Sequence, residues 1–269
     1  MSAAETAASH DAAQHASGGF DAGALIMDNI LDHVWYPIPK VFGIDMSITK
    51  VVVMLWLAAA ILIILGWLAS RSIKEPVPRG FRSVMETLVL FVRDEIARKS
   101  IGHGADFFVP YLLTAFFFIL VCNLLGLVPG MKSPTAIISV TATLAIMTFV
   151  MTQVAGIRNY GVVKHFQNLL PHGLPKWLLP IMIPVELLGL FSKPFALAVR
   201  LFANMTAGTV IIVSLISLIF ILETSLVATA AVPFAGFIYM LKILVGFFQA
   251  FIFTLLSALF IGMAAHPAH

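Results

Sequence analysis

Long, unbroken apolar runs restrict this sequence to one fold class more firmly than any other feature. A helix needs about 20 mostly apolar residues to cross a hydrocarbon layer of ~30 Å. The runs that approach or exceed this length are residues 51–69, 107–128, 135–156, 177–222 and 231–265. Only helices and closed barrels satisfy their backbone hydrogen bonds in lipid, and the runs lack the alternating pattern of barrel strands. Since only 11% of the residues are charged, the sequence predicts an all-α membrane protein with about five membrane-embedded helices.

The last two runs are too long for simple spans. At 1.5 Å per residue, the run 177–222 would form a helix of roughly 68 Å, about twice the hydrocarbon thickness. Either each run breaks into two helices, or both form a long hairpin that lies steeply tilted across the membrane. The first run contains three candidate break points, Pro180, Pro184 and Pro194. The second has only Pro233, so we favour the tilted hairpin, with its turn near Glu223.

Between the first two spans, residues 73–102 combine charges with apolar side chains spaced three or four apart. This spacing is typical of an amphipathic helix on a membrane surface or against a partner. The apolar positions are Phe81, Val84, Met85, Leu88, Val92 and Ile96. We therefore expect one interfacial amphipathic helix besides the membrane helices. Residues 1–46 are predicted to form an N-terminal tail and pre-membrane segment, and residues 47–269 the membrane domain.

The placement of lysine and arginine predicts the orientation, because short cytoplasmic loops are enriched in both residues. The segments that follow the first and third spans carry Arg71, Lys74, Arg79, Arg82, Arg93, Arg98, Lys99, Arg158, Lys164 and Lys176. The segment before the first span carries only Lys40 and Lys50. We therefore expect the N-terminus outside and the C-terminus in the cytoplasm.

Several classes of site are absent from the sequence. The single cysteine, Cys122, excludes internal disulfides and cysteine-based metal sites. The motifs GxGxxG, GxxxxGK[ST] and HExxH do not occur. We expect no catalytic site, cofactor, metal or nucleic-acid partner, because the apolar runs offer no nucleophile or metal cluster. A secondary transporter is the alternative function, although the internal repeats typical of transporters are not found.

Arg200 is the residue that points most sharply to a function. Burying a charge in a membrane costs between ~2.5 and ~17 kcal/mol by different measures, so intramembrane charges are usually functional. Arginine cannot escape this cost by losing its proton. Glu186, Lys193 and Arg200 recur every seven residues and share one helix face, on which Asn204 follows one turn later. No acidic residue lies within two turns of Arg200 on its own helix, so its partner is expected to come from elsewhere.

The last run carries a second polar stripe, since Lys242 and Gln249 also lie seven residues apart. Two polar stripes on facing helices of an apolar hairpin predict the lining of an aqueous or ion path. In the structural alternative these groups only satisfy one another. Glu186 would then pair with Lys193, and Gln249 would bond a backbone carbonyl.

Five motifs resemble, in order along the chain, those of subunit a of F-type ATP synthases. They are NLLGLVP (123–129), SVTA (139–142), ELLGLFSKP (186–194), RLFANMTAG (200–208) and QAFIFTLL (249–256). The resemblance extends over roughly residues 81–262, which is most of the chain. A lone RLFxN would be a weak match, whereas five ordered motifs on the expected spans are specific.

The resemblance implies a stator subunit that packs against a rotating ring of c subunits, each with one membrane-buried carboxylate. In this family two offset half-channels lead protons to and from the ring, and Arg200 matches the essential arginine between them. The further ion-translocation residues that we expect are Asn204, Gln249, Glu186, Lys242 and Thr209. The resemblance also implies b-type peripheral stalk subunits as partners, contact with membrane lipid, and a multi-pass location in a bacterial inner membrane.

Three positions depart from the family pattern. Thr209 stands where Glu or His is usual, Lys242 where His or Glu is usual, and Ile137 where Asn or Asp is common. Because these positions belong to the outward-facing half-channel, the identity of its proton relay stays open, as does the choice between H⁺ and Na⁺. Lys242 is either part of the relay or a structural cation whose long stem reaches an aqueous cavity.

Overall fold

The first elements that the structure describes are two short strands rather than a helix. The computed structural model describes residues 34–36, 48–71, 81–128, 131–162, 164, 179–222 and 225–266. Strand β1 (Val34–Tyr36) pairs antiparallel with β2 (Ile48–Thr49), which leads directly into the first membrane helix. The sequence analysis did not predict this pair. Most of the predicted tail, residues 1–46, lies outside the described residues.

The rest of the described chain is helical. The α-helices are α1 (Lys50–Arg71), α2 (Phe81–Leu90), α3 (Lys99–Ile101), α4 (Ala105–Leu125), α5 (Ile138–Tyr160), α6 (Leu179–Leu222) and α7 (Ser225–Ala265). Among them α1, α4, α5, α6 and α7 are the 5 helices long and apolar enough to cross a membrane. The predicted all-α membrane fold and its number of spans are therefore confirmed, with bounds that differ by a few residues.

The segment between the first two spans is amphipathic, as predicted, but it is not a uniform α-helix. A π-helical segment, Phe91–Arg98, joins α2 to the short turn α3. Its inner side chains Val92 and Ile96 are buried against α4 and α7. On the exposed side, Arg98 pairs with Asp94 at 2.8 Å. Residues 73–80 of the predicted helix lie in a part of the chain that the structure leaves undescribed.

The last two helices are as long as the apolar runs suggested. Helix α6 has 44 residues and α7 has 41. Neither Pro184 nor Pro194 ends α6, and Pro233 does not end α7, so the alternative of broken shorter helices is wrong. The two helices pack against each other along an extended seam. Their steep tilt in the membrane stays a prediction.

The core lies where α4 and α7 meet the other helices. Its largest fully buried side chains include Phe116 and Leu112 of α4, Phe253 and Ile261 of α7, and Leu201 of α6. Lipid tails are as apolar as these side chains, so helix association in a membrane depends on close packing and interhelical hydrogen bonds. Such a core gives the α6–α7 seam a rigid support on its inner side.

Hydroxyl groups add interhelical bonds to this core. The Tyr111 hydroxyl of α4 lies 2.7 Å from Thr148 Oγ1 of α5, which lies 3.2 Å from Ser257 Oγ of α7. Nearby, Asn159 donates from Nδ2 to the carbonyl oxygen of Ala265 at 2.9 Å. These bonds tie α4, α5 and α7 together on the side of the core near the end of α7.

Candidate functional site

The seam between α6 and α7 brings the predicted polar stripes together. Asn204 of α6 donates from Nδ2 to Gln249 Oε1 of α7 at 2.8 Å. Gln249 is only 3% exposed, whereas Asn204 is exposed on the outer side of the seam. A buried amide in an apolar helix is costly unless it is paired. The pairing therefore gives both residues a fixed position at the seam.

A second polar contact lies further along the same seam. The Lys242 ammonium donates to Thr209 Oγ1 at 3.0 Å, and Thr209 in turn donates to the Met205 carbonyl oxygen at 3.0 Å. The stem of Lys242 crosses Gly208, where an added Cβ would lie 3.5 Å from Lys242 Cδ and Cε. Lys242 itself is only 8% exposed. A buried lysine thus passes beside Gly208 and ends on a hydroxyl.

Arg200 lies one turn before Asn204 and has a different environment. Its side chain is exposed in the single chain, on the open face of α6. Within the described residues, its guanidinium makes neither an ion pair nor a hydrogen bond. The exposed neighbours of Arg200 on the same face of α6 are Ala196, Ala203 and Asn204. Intramembrane cations are usually paired, and none of the described residues supplies a partner for Arg200, so a partner from another molecule stays a prediction.

Glu186 and Lys193 lie on the N-terminal half of α6. The structural alternative, in which they pair with each other, is not found: no ion pair joins them, although both side chains are described. Lys193 instead places its ammonium 5.7 Å from the ring centroid of Phe260 on α7. Glu186 is partly exposed and remains available to water or to a partner molecule.

A small cavity lies beside the Thr209–Lys242 contact. Its volume is about 40 Å³, enough for one or more water molecules. Its walls come from the segment before α5 and from α6, and include Gly126, Met131, Lys132, Ser133, Ala136, Ile137, Thr206 and Thr209. The structure thereby brings two of the three departures from the family pattern, Ile137 and Thr209, to one cavity, and the third, Lys242, is bonded to Thr209.

The sequence analysis missed a buried polar group beneath the same seam. Asn123, at the end of α4, is 2% exposed and donates from Nδ2 to the Gly246 carbonyl oxygen of α7 at 3.0 Å. Thr135 donates to Asn123 Oδ1 at 2.6 Å. A polar asparagine inside the second apolar run could have predicted a buried hydrogen bond, but the sequence analysis used Asn123 only as part of the NLLGLVP motif.

Comparison with known proteins identifies the family of this chain. The family model described as ATP synthase A chain matches residues 52–262. The chain belongs to that family. It is 53% identical over 242 residues to ATP synthase subunit a of Chloroherpeton thalassium, an alignment that covers 88% of this chain and 72% of that relative. The resemblance to F-type ATP synthase subunit a is therefore confirmed.

Two further relatives extend the match. ATP synthase subunit a 2 of Chlorobaculum tepidum is 48% identical over 278 residues, covering 96% of this chain and 79% of the relative. ATP synthase subunit a of an Anaeromyxobacter strain is 55% identical over 237 residues, covering 86% of this chain and 58% of the relative. With five candidate spans, the chain is a multi-pass membrane protein whose similar relatives are bacterial.

Proposed function

We propose that this chain is the ion-conducting stator subunit of a rotary F-type ATP synthase, and that the ion is the proton. One observation carries the proposal: within the described residues Arg200 is an exposed cation without an ion-pair or hydrogen-bond partner, one turn from the Asn204–Gln249 contact. The relatives named ATP synthase subunit a support the same assignment. A ring of c subunits, each with one buried carboxylate, supplies the missing anionic partner.

Two offset half-channels reach Arg200 from opposite sides. The outward half-channel runs from the cavity at Ser133 through the Thr209–Lys242 contact toward Asn204. The inward half-channel follows the N-terminal half of α6, where Glu186 provides a carboxylate. Because the paths meet the ring at different places, a proton passes between them only on a rotating c subunit.

Arg200 separates the two half-channels electrostatically. Its permanent charge attracts a ring carboxylate once that group has released its proton. The same charge repels a proton that would cross directly from one half-channel to the other. One elementary charge that moves through 100 mV yields ~2.3 kcal/mol, so several protons are needed for each ATP. A ring that passes the arginine repeatedly collects them.

The partners and location follow from the same proposal. The open face around Arg200 contacts the c ring, and b-type peripheral stalk subunits hold the chain stationary. The protein lies in the bacterial inner membrane, with its N-terminus outside and its C-terminus in the cytoplasm. Residues 47–269 form the membrane domain that carries this activity.

The decisive experiment replaces the arginine in the assembled complex. Arg200→Ala is expected to abolish ATP-driven acidification and respiration-driven ATP synthesis in membrane vesicles, while a blot still detects assembled complex. Arg200→Lys should rescue poorly, because an ammonium lacks the planar fork and can lose its proton in a site of low dielectric constant. Arg158→Ala is the matched control, since Arg158 is exposed at the end of α5, over the Phe107 ring. Near-normal coupled synthesis by Arg200→Ala would refute the proposal.

A further inference from the structure

A buried side chain outside the polar stripes contacts the seam from its inner side. Asn123 bonds through Nδ2 to the carbonyl oxygen of Gly246 in the middle of α7. A backbone carbonyl can only accept a hydrogen bond, so the amide of Asn123 must point its nitrogen toward Gly246. Its oxygen then accepts from Thr135, as observed at 2.6 Å.

The contact point on α7 lies between the two seam contacts. Gly246 comes four residues after Lys242 and three before Gln249. At 1.5 Å per residue, these separations correspond to about 6 Å and about 4.5 Å along the helix axis. Asn123 therefore fixes the height of the part of α7 that carries both seam residues.

The approach of α4 to α7 is also unusually close at this point. A Cβ atom added at Gly246 would lie 3.3 Å from Asn123 Cβ, which is tighter than an ordinary contact. Only glycine allows the carbonyl and the amide to meet without a shift of one helix. Close approach at glycine is a recurring way for membrane helices to form interhelical hydrogen bonds.

The orientation of Asn123 is fixed by its neighbours before α5. Ser133 Oγ lies 2.7 Å from Thr135 Oγ1 and 3.0 Å from the Cys122 carbonyl oxygen, and its single hydroxyl hydrogen is donated to one of the two, since Thr135 donates its own to Asn123. All three polar side chains, Asn123, Ser133 and Thr135, are buried. The segment before α5, the end of α4 and the middle of α7 thus form one connected polar group.

We propose that Asn123 is a positioning residue for proton transfer, which sets the register of α7 so that Gln249 meets Asn204 and Lys242 meets Thr209. The inference rests on the proposed function. Most of α7 is apolar, and apolar helix surfaces specify their mutual register poorly. Its interhelical polar contacts at Ser257 and at the Ala265 carbonyl oxygen lie further toward the C-terminal end, beyond Gln249. A single buried polar contact is an established means of fixing such a register. Asn123 acts through the seam and does not touch the transported proton.

The test uses the assembled complex in membrane vesicles and the initial rate of ATP-driven acidification per assembled complex. Asn123→Leu, which removes both hydrogen bonds at similar volume, should lower this rate about tenfold. Thr135→Val leaves the Gly246 bond in place and should lower it less. Gly246→Ala moves the helices apart without removing a polar group, so it should also lower the rate. This variant takes the place of Asn123→Leu if the latter fails to assemble.

A double-mutant cycle separates positioning from a general structural role. If Asn123 acts through Gln249, then Asn123→Leu should cause little further loss in a Gln249→Leu background. Ser257→Ala is the control. Ser257 of α7 also contacts another helix, through Thr148 of α5, but it follows Gln249 along α7, whereas Gly246 precedes it. The fold-loss in rate caused by Ser257→Ala should be the same in the wild-type and the Gln249→Leu backgrounds, so that the two losses multiply.

Two outcomes would overturn the inference. One is a wild-type rate per assembled complex in Asn123→Leu or, where that variant does not assemble, in Gly246→Ala. The other is an Asn123→Leu loss that multiplies fully with the Gln249→Leu loss. Either result leaves the proposed function intact, because that proposal is decided separately by Arg200→Ala.

Discussion

Thr209→Val tests whether the Lys242 contact belongs to the conducting path. The change keeps the shape of the side chain but removes the oxygen that accepts the Lys242 ammonium at 3.0 Å. Hydrogen bonds to charged groups contribute about 1.5–3 kcal/mol, and each 1.4 kcal/mol corresponds to a tenfold change. Lys242 as a whole is 8% exposed, so we expect water from the adjacent cavity to compensate only partly. We expect ATP-driven acidification per assembled complex to fall about tenfold.

The controls for this prediction come from the same chain. Thr209→Ser keeps the hydroxyl and should retain most of the rate. Thr143→Val removes an exposed hydroxyl of α5 that bonds only the Ser139 carbonyl oxygen of its own helix, and it should change the rate less than twofold. The rate is measured from the initial quenching of a pH-sensitive dye in vesicles, normalised to blotted complex. A Thr209→Val rate within twofold of wild type would refute the reasoning, because Lys242 would then need no acceptor.

Two further predictions concern assembly and packing. The purified chain, reconstituted alone in liposomes, should conduct no protons above the lipid background when a potential is imposed. The reason is that the ring, which carries the protons, is missing. Rapid conduction would contradict the stator assignment. Gly262→Ala should destabilise the chain by roughly 1–3 kcal/mol, because an added Cβ would collide with the Ser100 carbonyl oxygen. The thermal midpoint in detergent should fall by several degrees, whereas Gly66→Ala, which meets nothing within 4 Å, should not lower it; equal midpoints for the two variants would refute the packing argument.

Apolar length alone was sufficient to predict the spans and the hairpin. A run that is twice the membrane thickness has few other options, and the continuity of α6 through Pro184 and Pro194 agrees with the favoured form. The pairing of α6 with α7 also followed from adjacency along the chain. The π-helical segment Phe91–Arg98 was not predicted, because its apolar spacing does not differ enough from that of an α-helix.

The candidate site was predicted only in part, for a physical reason. Spacing by seven residues shows which side chains share a face, but it does not give the relative height of two facing helices. The sequence therefore identified Asn204, Gln249, Thr209 and Lys242 as candidates, but it did not predict that Asn204 bonds Gln249 and that Lys242 bonds Thr209. The hydrogen-bond partner of Asn123 could not be predicted at all. It is a backbone carbonyl 123 positions away, and every residue has a backbone carbonyl, so the sequence does not distinguish it.

Helix α1 stands at the edge of the bundle, and this position affects how its sequence can evolve. Ile63 is 71% exposed and Trp56 is 64% exposed, whereas Ala58 is fully buried against Val121 and Cys122 of α4. Positions that face acyl chains need only remain apolar, so most of α1 is free to exchange one hydrophobic residue for another over generations. Ala58 lacks that freedom, because any larger side chain would separate α1 from α4. We therefore expect α1 to tolerate exchanges between hydrophobic residues along its exposed positions, but not the replacement of Ala58 by a larger residue.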